Sequence, residues 1–480
     1  MTIDWTRYPR TAAFDEMINS DCLARPGMSA LYQYLSELGE QALRQRQQDA
    51  NDTIVDLGIT FTVYSDGDNI DRVWPFDIIP RLLAQSEWRR TQAGLIQRMT
   101  AINMFIGDLY GAQRIIRDKV FPAELLADSK NFLAQCVGMK LAWGVWAHIC
   151  GSDLVRDQHG TLHVLEDNLR VPSGVSYMLE NRLVTKRVFP ELFDTHNIVP
   201  VDDYPSQLYD MLASLTPRPH DHPQVVLLTP GIYNSAYFEH LYLAQRMGIE
   251  LVEGRDLVVG DDDCVYMKTI AGLKQVDVIY RRVDDLFLDP EVFHPDSCLG
   301  VPGLMRAWHK HRVALVNAPG AGVADDKVVY AYIPEVIRYY LGEEIMLPNI
   351  QTWKCLDPTD RQYVLENLDQ LVVKPANESG GYGMMIGPYA TTSEREQMAW
   401  RIQENPRNYI AQPVIALSTV PTLTDEGIQP RHVDLRPFIL QGRRSYITTG
   451  GLTRVALRKG SLVVNSSQGG GSKDTWIVED

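Results

Sequence analysis

Cysteine is scarce in this chain. Six cysteines (Cys22, Cys136, Cys150, Cys264, Cys298 and Cys355) are spread over 480 residues. They form no C-x-x-C and no metal-type pairing with histidine, so the sequence encodes neither a disulfide framework nor a thiolate zinc site. The eleven histidines show one H-x-x-x-H spacing, His159 and His163, with no C-x-x-C to complete a zinc set, so a structural zinc is not expected. No apolar run approaches the ~20 residues of a membrane helix, and the opening MTIDWTRYPR has no apolar signal core. Cationic excess is missing too. The formal net charge is −15, and general binding to nucleic acid needs a positive field. These absences describe a cytoplasmic globular protein with no nucleic-acid or membrane partner.

What remains is 45% apolar and 22% charged, ample material for several packed units. Residues Ser29–Ala50 read as one helix with a polar C-terminal end. From Asp77 to Asp118 apolar residues recur at three- and four-residue spacing, predicting one or two helices that end near Gly111. A further helix is expected over Ala123–Cys136. Period-two patterning at 148–170, broken at His159-Gly160, predicts a hairpin. From Gln224 to Gly320 strands alternate with helices, the mark of an α/β unit. The last third mixes a helix at 329–342, a strand at 371–375, a Gly-rich loop, another helix and several strands. The expected fold class is therefore mixed α/β and α+β. The expected divisions are a largely helical region at 1–140, the hairpin segment at 141–200, the α/β domain at 201–315 and a final pair of lobes at 316–480.

Three features carry chemistry. On the hairpin, Glu166 and Asn168 are two apart and share a strand face. Asp153, on the partner strand, can lie opposite them. Two carboxylates and an amide oxygen make a hard-oxygen site suited to Mg²⁺ that bridges phosphates, although a solvated strand face has the same pattern. In the second feature, VVKPANESGGYGM, an apolar strand delivers Lys374 to a loop containing Ser379, Gly380, Gly381 and Gly383. Successive backbone N–H groups there can form an anion nest with Lys374 as a point charge. The segment matches neither a Walker A loop nor a dinucleotide fingerprint. Third, Arg436 and Arg454 sit in apolar strands, where a guanidinium needs an anionic partner. A structural pair of Arg436 with Asp434 or Asp474 would satisfy the same demand. Lys473, after a run of three glycines, reads as part of a second anion loop or only of a tail turn.

These blocks, in this order, resemble the circularly permuted ATP-grasp type 2 family, relatives of glutathionylspermidine synthase. The most specific pieces are VLEDNLRVPSGVSYMLENR (164–182), APGAGVADDKVVYAYIPEVIRYYLGEE (318–344) and VVKPANESGGYGM (372–384). Ordinary ATP-grasp chains carry the nucleotide lysines first and the Glu-x-Asn motif last; here Glu166-Asp167-Asn168 precedes Lys327 and Lys374.

The resemblance implies that Asp153, Glu166 and Asn168 hold Mg²⁺. It implies that Lys327 and Lys374 contact the phosphates of ATP, with the Ser379–Gly383 loop above them. By the same likeness Gln412 belongs to the hinge strand that reads adenine, and Arg454 stabilises the transferring phosphoryl group. The position two residues before the metal aspartate, an arginine in glutathionylspermidine synthases, is Gly151, and no amidase Cys/His pair is recognisable. The expected activity is thus an ATP-grasp ligase joining a small-molecule or peptide carboxylate to an amine through an acylphosphate. Substrate contacts are expected from Tyr233, Asn234, Ser235, Arg281 and Arg282 on the α/β domain, and from Arg170 and Ser173 beside the hairpin. The alternatives are a non-catalytic nucleotide-binding scaffold and an ATP-dependent small-molecule kinase.

Overall fold

In the computed structural model, residues 2–65, 68–195, 197–218, 222–376, 383–461, 464 and 470–479 are described. A nine-stranded sheet forms the centre. Its strands run, in spatial order, Ser445–Ile447, Phe438–Gln441, Ile149–Arg156, Gly427–Arg436, Leu452–Val455, Gly471–Val478 and Phe76–Ala84. Thr419–Thr424 pairs additionally with Gly427–Arg436, and Leu162–Asn168 with Ile149–Arg156.

Both faces of this sheet are covered. Ile477 and Ile439 pack into one apolar cluster with the long helix Gln85–Leu109. Their strand neighbours Trp476, Val478, Phe438 and Leu440 pack into a second cluster with helix Val175–Val188. Successive side chains of a strand point to opposite faces, so strands enclosed on both sides read as continuous apolar runs.

That enclosure explains two departures from the sequence expectation. The segment FDIIPRLLA, read as the start of a helix, is the strand Phe76–Ala84, almost wholly buried, and the helix begins only at Gln85. Pro80 is tolerated because this strand is the sheet's last and its register against Gly471–Val478 is irregular opposite that point. The region 1–140 is therefore not simply helical. Lys473 is no tail turn: it lies fully buried in Gly471–Val478, ion-paired with Asp77, and donates to the carbonyls of Ile79 (3.1 Å) and Pro421 (3.0 Å).

Smaller corrections have local causes. The helix expected at 29–50 is two helices, Ser29–Leu38 and Glu40–Asp56, separated by Gly39 at φ 79°. Over Ala123–Cys136 only Ala123–Ala127 is α-helical, followed by a 3₁₀ turn at Ala134–Cys136. The helix expected around 329–342 is Lys327–Ala331 and Ile333–Leu341, restarted with Pro334 in the first turn.

The α/β unit is as expected. Ala314–Val316, Val278–Arg281, Val225–Leu228 and Glu250–Val252 form a parallel sheet in that order. A small lobe holds the antiparallel sheet Trp353–Lys354, Tyr409–Pro413, Leu371–Pro375 and Met385–Ile386. Its own core includes Val364, Leu371, Val373, Met398 and Ile402. Among the described residues no helix is long and apolar enough to cross a membrane.

Candidate functional site

The hairpin forms where the patterning puts it. Asp157 Oδ1 accepts from the backbone N–H groups of His159 and Thr161, both at 2.9 Å, and Gly160 supplies the left-handed residue at φ 84°. Antiparallel pairing sets Asp153 opposite Glu166 and Gly151 opposite Asn168, with the register shifting directly after Asp153. The alternate residue Asp167 points elsewhere. It is buried, accepting from Arg98 Nε and Ser152 Oγ at 2.8 Å each.

Asp153 is enclosed and doubly paired. Arg436 donates to it through Nε (2.5 Å) and Nη2 (2.8 Å), and Arg454 through Nη2 (2.7 Å). Burial alone would raise its pKa, but the two guanidinium groups outweigh burial and hold the carboxyl well below the usual range. Glu166 goes the other way. Burial and then the neighbouring Asp153 charge raise its pKa, against the pull of Lys327 and Arg436. Asn168 donates its amide N–H to the Gly151 carbonyl at 3.1 Å, which leaves Oδ1 as its atom for a cation.

Arg436 does not pair with Asp434 or Asp474, the two partners weighed for a structural role. Asp434 binds Arg454, with Nε at 2.9 and 3.1 Å and Nη2 closer still, and Asp474 binds Arg182. A side chain at Gly151 would stand 3.2 Å from Pro172 Cβ and 3.4 Å from Arg436 Cδ. The space at Gly151 is thus filled in part by an arginine from the next strand.

Two lysines act on this hairpin, Lys374 from the small lobe and Lys327 from the start of helix Lys327–Ala331. Lys374, in register with Ile410, donates Nζ to Gln412 Oε1 at 2.7 Å, and Gln412 donates onward to Thr352 Oγ1 at 3.0 Å. Burial pushes the Lys374 ammonium down to about 8; Glu166 opposes that shift and Lys327 adds to it. These mutual effects tie Lys327, Lys374 and Glu166 into one charged cluster. Lys327 follows Asp326, which caps its helix by accepting from Val328 N–H at 2.9 Å and pairs with Arg407 at 2.7 Å. The Lys327 N–H bonds the Ala376 carbonyl at 3.1 Å, just past the strand that carries Lys374. Ser379, Gly380 and Gly381 lie outside the described residues; Gly383, at φ 71°, returns the chain beside Pro375.

The residues expected to touch substrate divide. Arg170, partly exposed, bonds Asp325 at 2.6 Å and Asp284 at 3.3 Å. The Ser173 carbonyl accepts from Arg436 at 3.4 Å. Tyr233 is 79% exposed on the loop after strand Val225–Leu228. Asn234 Oδ1 caps the Ala236 N–H at 2.9 Å, and Ser235 lies on the same loop.

Arg281 and Arg282 are buried instead. Arg281 pairs with Asp285 at 2.5 Å and bonds the carbonyls of Asn317 and Val283. Arg282 bonds the Pro172 carbonyl at 2.7 Å, Tyr280 Oη at 2.8 Å and Glu239 at 3.2 Å. Arg282 thus holds the strap after Asn168, a task shared by Asn317, which donates to the Leu169 carbonyl at 2.7 Å, while Arg281 fixes the Asn317 backbone.

Sequence reading weighed Asp434 only as a partner for Arg436. The signal was present, since Asp434 and Arg436 are two apart on one strand and share a face.

Comparison with known proteins gives this geometry its context. The profile of the family described as "Circularly permuted ATP-grasp type 2" matches residues 80–456. The chain is 56% identical over 467 residues to "Uncharacterized protein sll0335" of Synechocystis sp., covering 97% of each. It is 41% identical over 474 residues to "Putative glutamate--cysteine ligase 2-2" of Frankia casuarinae, covering 98% of this chain and 54% of that one. Its fold matches a glutathione synthetase-like effector from Globodera pallida with a TM-score of 0.60 at 12% identity, covering 92% and 98% of the two chains; at that identity the likeness concerns the fold alone. The chain belongs to the circularly permuted ATP-grasp type 2 family.

Proposed function

We propose that this protein is an ATP- and Mg²⁺-dependent ligase that joins a carboxylate to an amine. The observation that carries the reading is the convergence of Asp153, Glu166 and Asn168 with Lys327 and Lys374. Family membership and the ligase name of the Frankia relative support it.

The oxygen set fits a divalent cation. The Asp153 charge raises the cost of ionising Glu166, as close like charges do, and a cation between them would remove that cost. Two carboxylates and one amide would leave coordination positions for phosphate oxygens. Bound there, Mg²⁺ would neutralise charge on the transferring phosphoryl group.

The remaining roles follow from position and charge. Lys374 and Lys327 would hold phosphate oxygens of ATP, and Gln412 orients Lys374. The γ-phosphoryl passes to a carboxylate oxygen of the acid as ADP leaves. The amine then attacks the acyl carbon, phosphate departs, and the nitrogen loses a proton. Arg454 and Arg436 would stabilise the negative charge on the phosphoryl group in flight. Arg170 and the loop Tyr233–Ser235 border the strand ends where open α/β sheets bind ligands.

Calorimetry with ATP and Mg²⁺, followed by ADP release across a panel of acids and amines, tests the proposal. No Mg²⁺-dependent nucleotide binding would overturn it, and binding without ADP release would favour a scaffold. A phosphorylated product without a new amide would point to a kinase.

A further inference from the structure

The two arginines on Asp153 are anchored differently. Arg454 stands directly across the sheet from Asp434, which takes both its Nε and Nη2 in a two-pronged pair. Asp434 is itself fixed: it is 1% exposed, and its backbone carbonyl accepts from Arg81 Nη1 at 3.0 Å. Among the described residues Arg436 makes no second ion pair. Beyond Asp153 its guanidinium reaches the Ser173 carbonyl at 3.4 Å, a marginal bond. Its side chain is also the more accessible, at 14% against 7% for Arg454.

A divalent cation on Asp153 would compete with both guanidinium groups for the same two oxygens. Arg454 loses one partner and keeps the stronger, bidentate one. Arg436 loses its ion pair and is left partly buried beside a cation, which drives it outward. We propose that Asp434 is the positioning residue that retains Arg454 in the site when a divalent cation takes Asp153, making Arg436 the arginine that is displaced toward an incoming anionic group. The inference rests on the metal-dependent reading of Asp153 given above. It adds a division of labour: one arginine is fixed by a carboxylate outside the oxygen set, and the other serves as the resident cation.

The test uses the full chain and Mn²⁺ alone, with free Mn²⁺ read by electron paramagnetic resonance in the absence of nucleotide. Arg436→Met removes a competitor and should bind Mn²⁺ roughly tenfold tighter than wild type. Asp434→Asn leaves Arg454 dependent on Asp153 and should bind roughly tenfold weaker, the scale of loss typical for partners that orient metal ligands. In turnover, Asp434→Asn should lower kcat with the KM for ATP little changed.

A merely structural Asp434 would lower the melting temperature of Asp434→Asn and leave its Mn²⁺ affinity as in wild type, which overturns the proposal. Unchanged or weaker Mn²⁺ binding by Arg436→Met overturns it equally, and this variant decides alone if Asp434→Asn does not fold. The two readings fail separately. A wild-type chain that forms no ADP while the Mn²⁺ pattern holds counts against the ligase, whereas turnover with a flat Mn²⁺ pattern counts against the division between the arginines.

Discussion

Lys374 shows how one residue is made useful by an unfavourable environment. Its ammonium is pushed down to about 8 by burial, with Lys327 adding to the shift, so the ionised form destabilises the nucleotide-free protein. The sign follows directly. Between pH 8 and the ordinary lysine value near 10.4 the unfolded chain holds a proton that the folded one has shed, so this residue makes stability rise with pH across that window. A bound phosphate reverses the preference. ATP binding near pH 8 should therefore be accompanied by proton uptake, seen as a dependence of the calorimetric enthalpy on buffer ionisation heat. Lys374→Met should weaken ATP by about 1.5–3 kcal/mol, roughly tenfold or more, while the melting temperature without nucleotide holds or rises. A collapse in melting temperature with normal ATP affinity would make Lys374 structural.

Glu166 and Asn168 lead to a related expectation. Each would give one oxygen to a cation, and Glu166 is strained against Asp153. Glu166→Ala and Asn168→Ala should abolish ADP formation and leave the circular dichroism spectrum and melting temperature close to wild type, since partly exposed strand-surface truncations seldom unfold a protein.

At the scale of elements, the hairpin and the last strand differ in how they are specified. The hairpin turn is local: Asp157 caps it and Gly160 occupies a left-handed position, where an added Cβ would meet the Phe14 ring at 3.0 Å. Gly160→Ala should cost about 1–2 kcal/mol by calorimetry. Gly471–Val478 depends on distant partners. Its Lys473 is neutralised by Asp77, which also accepts from Leu423 N–H at 2.7 Å. Removing one member of such a pair leaves a buried charge, so Lys473→Met should cost about 3–5 kcal/mol and appear as a marked fall in melting temperature. The hairpin was legible because its turn chemistry and its period lie within twenty residues. The last strand was not, because the glycines before Lys473 suggest a turn and its counter-charge sits some four hundred residues away.

At the scale of the molecule, His148 marks where the α/β sheet meets the central one. Its backbone N–H bonds Asn317 Oδ1 at 2.8 Å and its carbonyl accepts from Gln441 N–H at 2.7 Å. Burial holds its imidazole neutral, pushed down to about 3. The unfolded chain takes up a proton below pH 6.5 that the folded one refuses, so stability is lost as pH falls from about 6.5 toward 3. His148→Gln should flatten the dependence of melting temperature on pH between 7 and 4.5 relative to wild type. An unchanged slope would place the acid sensitivity in other groups.

By itself the sequence determined the identity of the elements whose information is local. The Ile149–Asn168 hairpin, the α/β alternation and the lysine-bearing strand were all readable, because turn residues and side-chain periodicity act over a few residues. The order of Glu166-Asp167-Asn168 before Lys327 and Lys374, read with the family likeness, identified the permutation. Only the tertiary structure decided which charges meet. Asp153 takes two arginines from strands nearly three hundred residues away, Arg281 and Arg282 are paired internally with Asp285 and Glu239, and an apolar run beginning at Phe76 becomes an edge strand rather than a helix. The physical reason is the same in each case. A buried ion pair and a two-sided strand are satisfied by groups remote in the chain, and no local pattern records a partner that only folding brings near.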